Sequence, residues 1–268
     1  MPSLTAELAE ETLRSLRLFR LPVDPLEIIK REGIELSPGS YGDKFDARIE
    51  YYKSIDEFCI YYNLPFGWRT EGRVKFSLGH ELGHYYLPHH RERLRNGYRH
   101  NSITDYISRD PLEAEADEFS ADLIMPMELF RKELKNFRSG FCTLEDLGRL
   151  ASRLGTSLTS TARRYCESDG EACTIYFSEG GLIHWGKASE DMKRTGMYWW
   201  DFGTPPPRGS NTAAYWEKLR LGGPAEPIAS RVHSEIWFDR ASATELWEEV
   251  MPLGGTGRAI TQLTPYER

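Results

Sequence analysis

The sequence predicts an α+β chain in three parts: a helix-framed front region with a small antiparallel sheet, a helical middle segment, and an α+β region at the back. Three observations predict this. Helical stretches with recognisable start and stop residues bracket two Ile/Tyr/Phe-rich runs between positions 47 and 62. Two further helical stretches flank Gly155-Thr156-Ser157, the form of a helix-turn-helix unit. Near Ser168 the character changes, and six of the seven tryptophans lie beyond it. The expected partition is 1–127, 128–167 and 168–268.

In chain order, Thr5 to Phe19 reads as a helix with Leu8, Leu16 and Phe19 near one face. Asp24-Pro25 starts a short helix that Gly33 stops at Glu32. Ser37 to Lys44 is a polar, glycine-containing stretch. Ala47 to Tyr52 and Glu57 to Tyr62 read as a hairpin or two meander strands. Thr70 can cap a helix carrying Val74, Leu78, Leu82 and Tyr86, and Pro88 ends it. His89 to Ser108 is basic and aperiodic, the pattern of a loop. Asp110-Pro111 starts the next helix, which stops at Met125-Pro126, and another runs from Met127 to about Asn136. Leu144, Leu147, Leu150, Ala151 and Leu154 make one helix face of the middle segment, and Leu158, Ala162 and Tyr165 the other. Beyond Ser168, strand-like runs (Cys173 to Phe177, Gly181 to Trp185) alternate with Gly/Pro loops.

Composition narrows the function. Forty per cent of the residues are hydrophobic, enough to bury a core, so wholesale disorder is excluded. No window approaches the ~18 apolar residues of a membrane span, and the first residues lack the pattern of a secretion signal. A net charge of −7 is a poor match to a general nucleic-acid binder. Cys59, Cys142, Cys166 and Cys173 form no C-x-x-C pair and read as packed, reduced thiols. The expectation is a cytoplasmic protein.

The chemistry-bearing motif is His80-Glu81-Leu82-Gly83-His84, the H-E-x-x-H pattern on a predicted helix. Residues i and i+4 share a helix face, so both imidazoles can address one metal ion. Zinc accepts neutral histidine nitrogen in near-tetrahedral geometry, and manganese or iron can take the same donors. Glu81, at the edge of that face, is placed for a general base. The bland alternative is two surface histidines on an ordinary helix. A catalytic site needs a third ligand, and Glu113 is the candidate, near the start of the next helix. Asp117, four residues on, can accept a hydrogen bond from a ligand histidine and fix its tautomer. Glu115 is the rival ligand, rotated about 200° away on the helix, and Glu118 a weaker one. An oxyanion donor is also required, from among Tyr85, Tyr86, His89, His90, Tyr98 and His100, between which spacing does not choose. The hairpin between Ala47 and Tyr62 could hold an extended peptide by strand addition.

The stretch FSLGHELGHYYL, followed by EAEADEFSADLIMP, resembles the ImmA/IrrE family of metallopeptidases. The likeness covers about Pro22 to Pro126, and more loosely to Cys166. It implies a zincin-like catalytic domain, a third ligand from the second helix that best matches Glu113, and a C-terminal domain similar to a GAF-type sensor. It further implies a zinc-dependent endopeptidase that cuts a helix-turn-helix (XRE-type) transcriptional repressor, relieving repression under stress or releasing a mobile element. Gly79 stands where the family more usually has alanine, and Ser120 is a second departure.

Other readings stay open. Met127 to Glu167 carries eight Lys/Arg against five Asp/Glu, a basic stretch that could contact DNA or dock the repressor, or simply support the catalytic helices. The alternative function is a DNA- or repressor-binding regulator with a structural zinc. The tryptophan-rich end could be a ligand-binding sensor that gates the protease, or plain core.

Overall fold

A computed structural model describes residues 3–65, 70–98, 110–136, 142–168, 171–197, 200–238, 245–254 and 257–266. The fold is mixed α+β, and by contact clustering the chain divides into two units. The first comprises Met1–Glu133 with Ala151–Ser157, and the second Leu134–Leu150 with Leu158–Arg268. Among the described residues, no helix is long and apolar enough to cross a membrane.

In the first unit, α1 (Leu4–Ser15) starts at Ser3, whose side chain accepts from the Ala6 N–H. It ends four residues before the expected Phe19. Arg17 takes a left-handed conformation (φ 58°), the Leu18 N–H donates to the Leu13 carbonyl and the Arg17 N–H to that of Arg14. That is a Schellman stop built without glycine. Leu16, Leu18 and Phe19 pack into the core from the turn after it. The second helix, α2 (Pro25–Glu32), has Asp24 as N-cap, proline at its first position and Gly33 left-handed at its end.

Three strands follow, β1 (Glu35–Gly39), β2 (Ala47–Tyr52) and β3 (Glu57–Asn63), in the order β1-β3-β2. The expected antiparallel pair is β2–β3. No strand was expected where β1 lies, and β1 pairs with β3 in parallel, so the sheet is mixed rather than the expected antiparallel. Its sequence hid it: an edge strand needs only one ladder, so it tolerates Pro38, and its residues are exposed or half-buried with no apolar alternation.

Helix α3 (Glu71–Tyr86) is capped by Thr70 and buried continuously from Ser77 to Tyr85. Pro88 does not lead into a loop. It opens α4 (Pro88–Arg95), because proline at the first helical position gives up an N–H that would have no partner anyway. Helix α5 (Pro111–Ile124) starts from Asp110, whose side chain accepts from the Leu112 N–H. It crosses α3 so closely that a Cβ on Gly83 would lie 3.1 Å from the backbone of Ala116, and one on Gly79 would lie 2.5 Å from the Ser120 Oγ. The core of this unit joins Leu13, Ile28, Ile29, Ile49, Ile60, Leu78, Leu82 and Phe119.

Helices α6 (Met127–Asn136), α7 (Leu144–Leu154) and α8 (Leu158–Glu167) follow, with left-handed Gly155 (φ 65°) between the last two. The second unit then carries β4 (Thr174–Glu179), β5 (Leu182–Ala188), α9 (Glu190–Arg194), α10 (Asn211–Arg220), β6 (Ile228–His233), β7 (Glu245–Pro252) and β8 (Arg258–Pro265). Its five strands are ordered β5-β4-β8-β7-β6, every pair antiparallel. Tyr176 stacks on Trp237 in its core, with ring centroids 5.1 Å apart. All four cysteines are buried, and none of them forms a disulfide.

Candidate metal centre

The glycine-lined contact between α3 and α5 brings their polar faces together. One α3 face presents His80 and His84, with Nε2 atoms 3.0 Å apart. From the first turn of α5, Glu113 places Oε2 3.1 Å from His80 Nε2 and Oε1 3.6 Å from His84 Nε2. One oxygen or nitrogen from each of the three lies within 4.8 Å of the others. One turn on, Asp117 Oδ1 accepts from His80 Nδ1 at 2.8 Å, which leaves Nε2 turned toward Glu113.

Electrostatics favour a cation here. Burial alone would lower the His80 imidazole, but hydrogen bonds to Asp117 and Glu113 and the charge of Glu81 overrule it and push its pKa up to about 10. Burial likewise works against the Glu113 carboxylate, yet the two histidines hold it well below the usual carboxylate range. Glu113 Oε1 is buried and has no hydrogen-bond partner. A buried acceptor without a donor is costly, and a metal ion would satisfy it. Two imidazole nitrogens and one carboxylate oxygen are donors that zinc takes readily. The residues present therefore fit a divalent ion.

Glu81 is fully buried on α3, and its Oε2 accepts from the Ile49 N–H of β2 at 2.8 Å. Neighbouring residues of an antiparallel strand point their N–H groups to opposite sides. The Ile49 N–H, given to Glu81, therefore points away from β3, and the outer edge of β2 runs beside the site. A cleft of about 560 Å³ lies on the other face of the sheet, lined among others by Tyr41, Phe45, Arg48, Glu50 and Tyr61, and none of His80, Glu81, His84 or Glu113 borders it.

The remaining sequence candidates separate. Tyr85 points to α2, its hydroxyl donating to Glu32 at 3.2 Å, and Tyr86 stacks on Phe119 in the core. Neither reaches the cluster. Glu115 meets His89 and His90 instead of the first site, and Glu118 is exposed. Burial, then the charges of Glu113 and Asp110, raise the pKa of the Tyr98 hydroxyl, and the ring packs against the core of the unit. His100 lies outside the described residues. Burial lowers His90 despite its bond to Glu115, and its Nδ1 lies 2.9 Å from His84 Nδ1.

Two features escaped the sequence. The Ile49 N–H is a backbone donor, with no residue-type signature. Reading Pro88 as a helix start would have placed His89 and His90 one turn beyond His84. The two positions that depart from the family pattern, 79 and 120, meet in the structure. The Ser120 hydroxyl occupies the space an alanine methyl at 79 would fill, and it donates to the Phe76 carbonyl at 2.8 Å.

Residues 67–165 match a peptidase family model described as the IrrE N-terminal-like domain. Among curated proteins, none matches the chain in sequence. Among solved structures, a Mycobacterium tuberculosis transcriptional regulator superposes with a TM-score of 0.61 at 10% identity, over 97% of this chain and 75% of that one. At that identity the likeness speaks for the fold alone.

Proposed function

We propose that this chain, which carries a metallopeptidase-like IrrE N-terminal-like domain over residues 67–165, is a zinc-dependent endopeptidase of the cytoplasm. Its substrate on this reading is a helix-turn-helix repressor, cut to relieve repression in a stress response or during induction of a mobile element. The carrying observation is the convergence of His80, His84 and Glu113 beside a fully buried Glu81. A purely structural site has no use for that adjacent carboxylate.

On this reading His80, His84 and Glu113 hold zinc, or manganese under other conditions, and Asp117 orients His80. A bound ion supplies an acidified water and a polarised scissile carbonyl. Glu81 takes the proton from the attacking water and delivers it to the leaving amine. Its bond to Ile49 holds the carboxylate in place and ties it to the edge of β2. An extended peptide can add to that edge, which lines up its carbonyls beside the catalytic carboxylate. Tyr98 is the proposed donor to the oxyanion.

The test is incubation of the purified protein with zinc and a candidate repressor, the one encoded beside it being the first choice. Wild type should cut once. Glu81→Gln should keep the ion and lose about 10²–10⁴-fold in rate, the range for a general base. Equal cleavage by Glu81→Gln would dismiss the mechanism.

A second reading draws on α7, left-handed Gly155 and α8, two short helices on a tight turn in a locally basic stretch. It makes the chain a DNA- or repressor-binding regulator with a structural zinc. It predicts salt-sensitive DNA binding that survives His80→Ala. The five-stranded antiparallel sheet of the second unit is the proposed sensor, and its removal should alter control of cleavage in cells, not the chemistry.

A further inference from the structure

We infer that His90 and Glu115 are positioning residues for His84, acting through one file of hydrogen bonds that decides which His84 nitrogen offers its lone pair to the ion. The inference rests on the reading of His84 as a ligand and adds to it how that ligand is prepared.

The argument is a proton count. His84 Nδ1 and His90 Nδ1 are 2.9 Å apart, and only one hydrogen can lie between two ring nitrogens. Glu115 anchors the far end: its Oε2 is 3.1 Å from His90 Nε2 and 2.8 Å from His89 Nε2. An ionised carboxylate only accepts, so His90 carries its hydrogen on Nε2 and donates it to Glu115. Neutral His90 then has a bare Nδ1, which accepts from His84 Nδ1–H. His84 is left with its lone pair on Nε2, facing His80 Nε2 at 3.0 Å and the Glu113 carboxylate. Every bond in the file fits the others, and the direction is set by the carboxylate at its end.

The two ligand histidines are thus prepared differently. His80 rests directly on Asp117, whereas His84 rests on a carboxylate through a second imidazole. His90 is buried (side chain 1% exposed), while Glu115 and His89 are progressively more open at 28% and 49%. The file runs from a buried ligand to the surface of α4 and α5.

The same count settles what His89, His90 and Glu115 are not. Their donor atoms lie close enough to hold an ion of their own. A metal on His90 Nε2 would move that hydrogen to His90 Nδ1, force His84 to carry its own on Nε2, and so remove His84 from the first site. The cluster supports the first site and does not make a second.

The experiment uses the full chain and two readouts other than activity. Ring-nitrogen NMR of the metal-free protein should show His84 with its hydrogen on Nδ1 and His90 with its hydrogen on Nε2. Zinc affinity, measured by chelator competition, should fall about 10–100-fold in His90→Phe, the usual cost of losing a group behind a ligand. His90→Asn places an amide oxygen where Nδ1 stood and should recover most of that loss. Glu115→Gln, on the partly open end of the file, keeps an acceptor and should weaken binding least. Should His90→Phe fail to fold, the Asn and Gln variants and the NMR assignment still decide. Hydrogen on His84 Nε2, unchanged affinity in a folded His90→Phe, or two zinc ions per wild-type chain with one lost in His89→Ala would each overturn the inference. Failure of the site itself looks different: His80→Ala and His84→Ala would then bind zinc as wild type does.

Discussion

Each unit of the molecule sets a carboxylate at a helix start, fully buried Glu248 in the second and half-buried Glu113 in the first, and the two are satisfied in opposite ways. In the second unit, Glu248 of β7 is fully buried, and donors fill both of its oxygens. Oε1 accepts from the Thr212 N–H and hydroxyl, Oε2 from the Asn211 N–H and the Trp237 indole. It closes the N-terminus of α10 and ties that helix to the sheet. In the first unit, Glu113 faces two imidazole nitrogens, and its Oε1 has no donor. Burial alone does not separate architecture from chemistry. What separates them is whether the protein itself supplies the hydrogens.

The sharpest way to break that distinction is to remove each carboxylate. Glu248→Ala leaves the Ser210 cap of α10 in place but strands four donors, two of them N–H groups of the first helical turn, so unfolding should become easier by about 2–4 kcal/mol, read from denaturant midpoints. Glu113→Gln keeps the length of the side chain and strands no helix-start donor, and should show its main effect on the ion, costing more zinc affinity than the ~10–100-fold of a residue behind a ligand. If the two variants exchange effects, the comparison fails.

A smaller effect tests the floor of the centre. Gly79→Ala drives a methyl into the Ser120 hydroxyl and should destabilise by about 1–3 kcal/mol, the range for overpacking. Adding Ser120→Ala removes the clash and should return most of it. A double-mutant cycle showing simple additivity would mean the two positions are independent.

A last test concerns pH. His80 is raised from 6.5 to about 10 by its acidic neighbours. In the metal-free protein its contribution is therefore complete below about 6.5 and is lost as pH climbs toward 10. Glu113 is depressed below its ordinary 4.5, so its contribution is present above that value and disappears only in strong acid. The metal-free protein should soften between pH 6.5 and 10, and in thermal melts saturating zinc should abolish that slope, because a ligated His80 carries no exchangeable proton on Nε2. No Glu248 variant should alter it.

How much of this could be read in the residues follows from how local each feature is. The helix starts at Asp24-Pro25, Thr70 and Asp110-Pro111 were legible because a cap is written in one or two residue types. The H-E-x-x-H face was legible because helical geometry fixes it. Strand β1 was hidden by Pro38 and by exposure that erases alternation. Helix α4 was hidden because Pro88 can end one helix and begin another. The contact of Gly79 with Ser120 and the bond from Ile49 to Glu81 depend on how distant segments meet, which no short window encodes.

The glycine seam between α3 and α5 has a consequence for anyone who wishes to alter ion preference. Two ligands sit on one cylinder and the third on the other, with almost nothing wedged between the main chains at Gly83 and Ala116. The size of the donor triangle is thus governed by how near the two rods lie, not by the freedom of the ligand side chains. Retuning the centre for a larger cation should begin with the spacers at 79, 83, 116 and 120, and leave the imidazoles untouched.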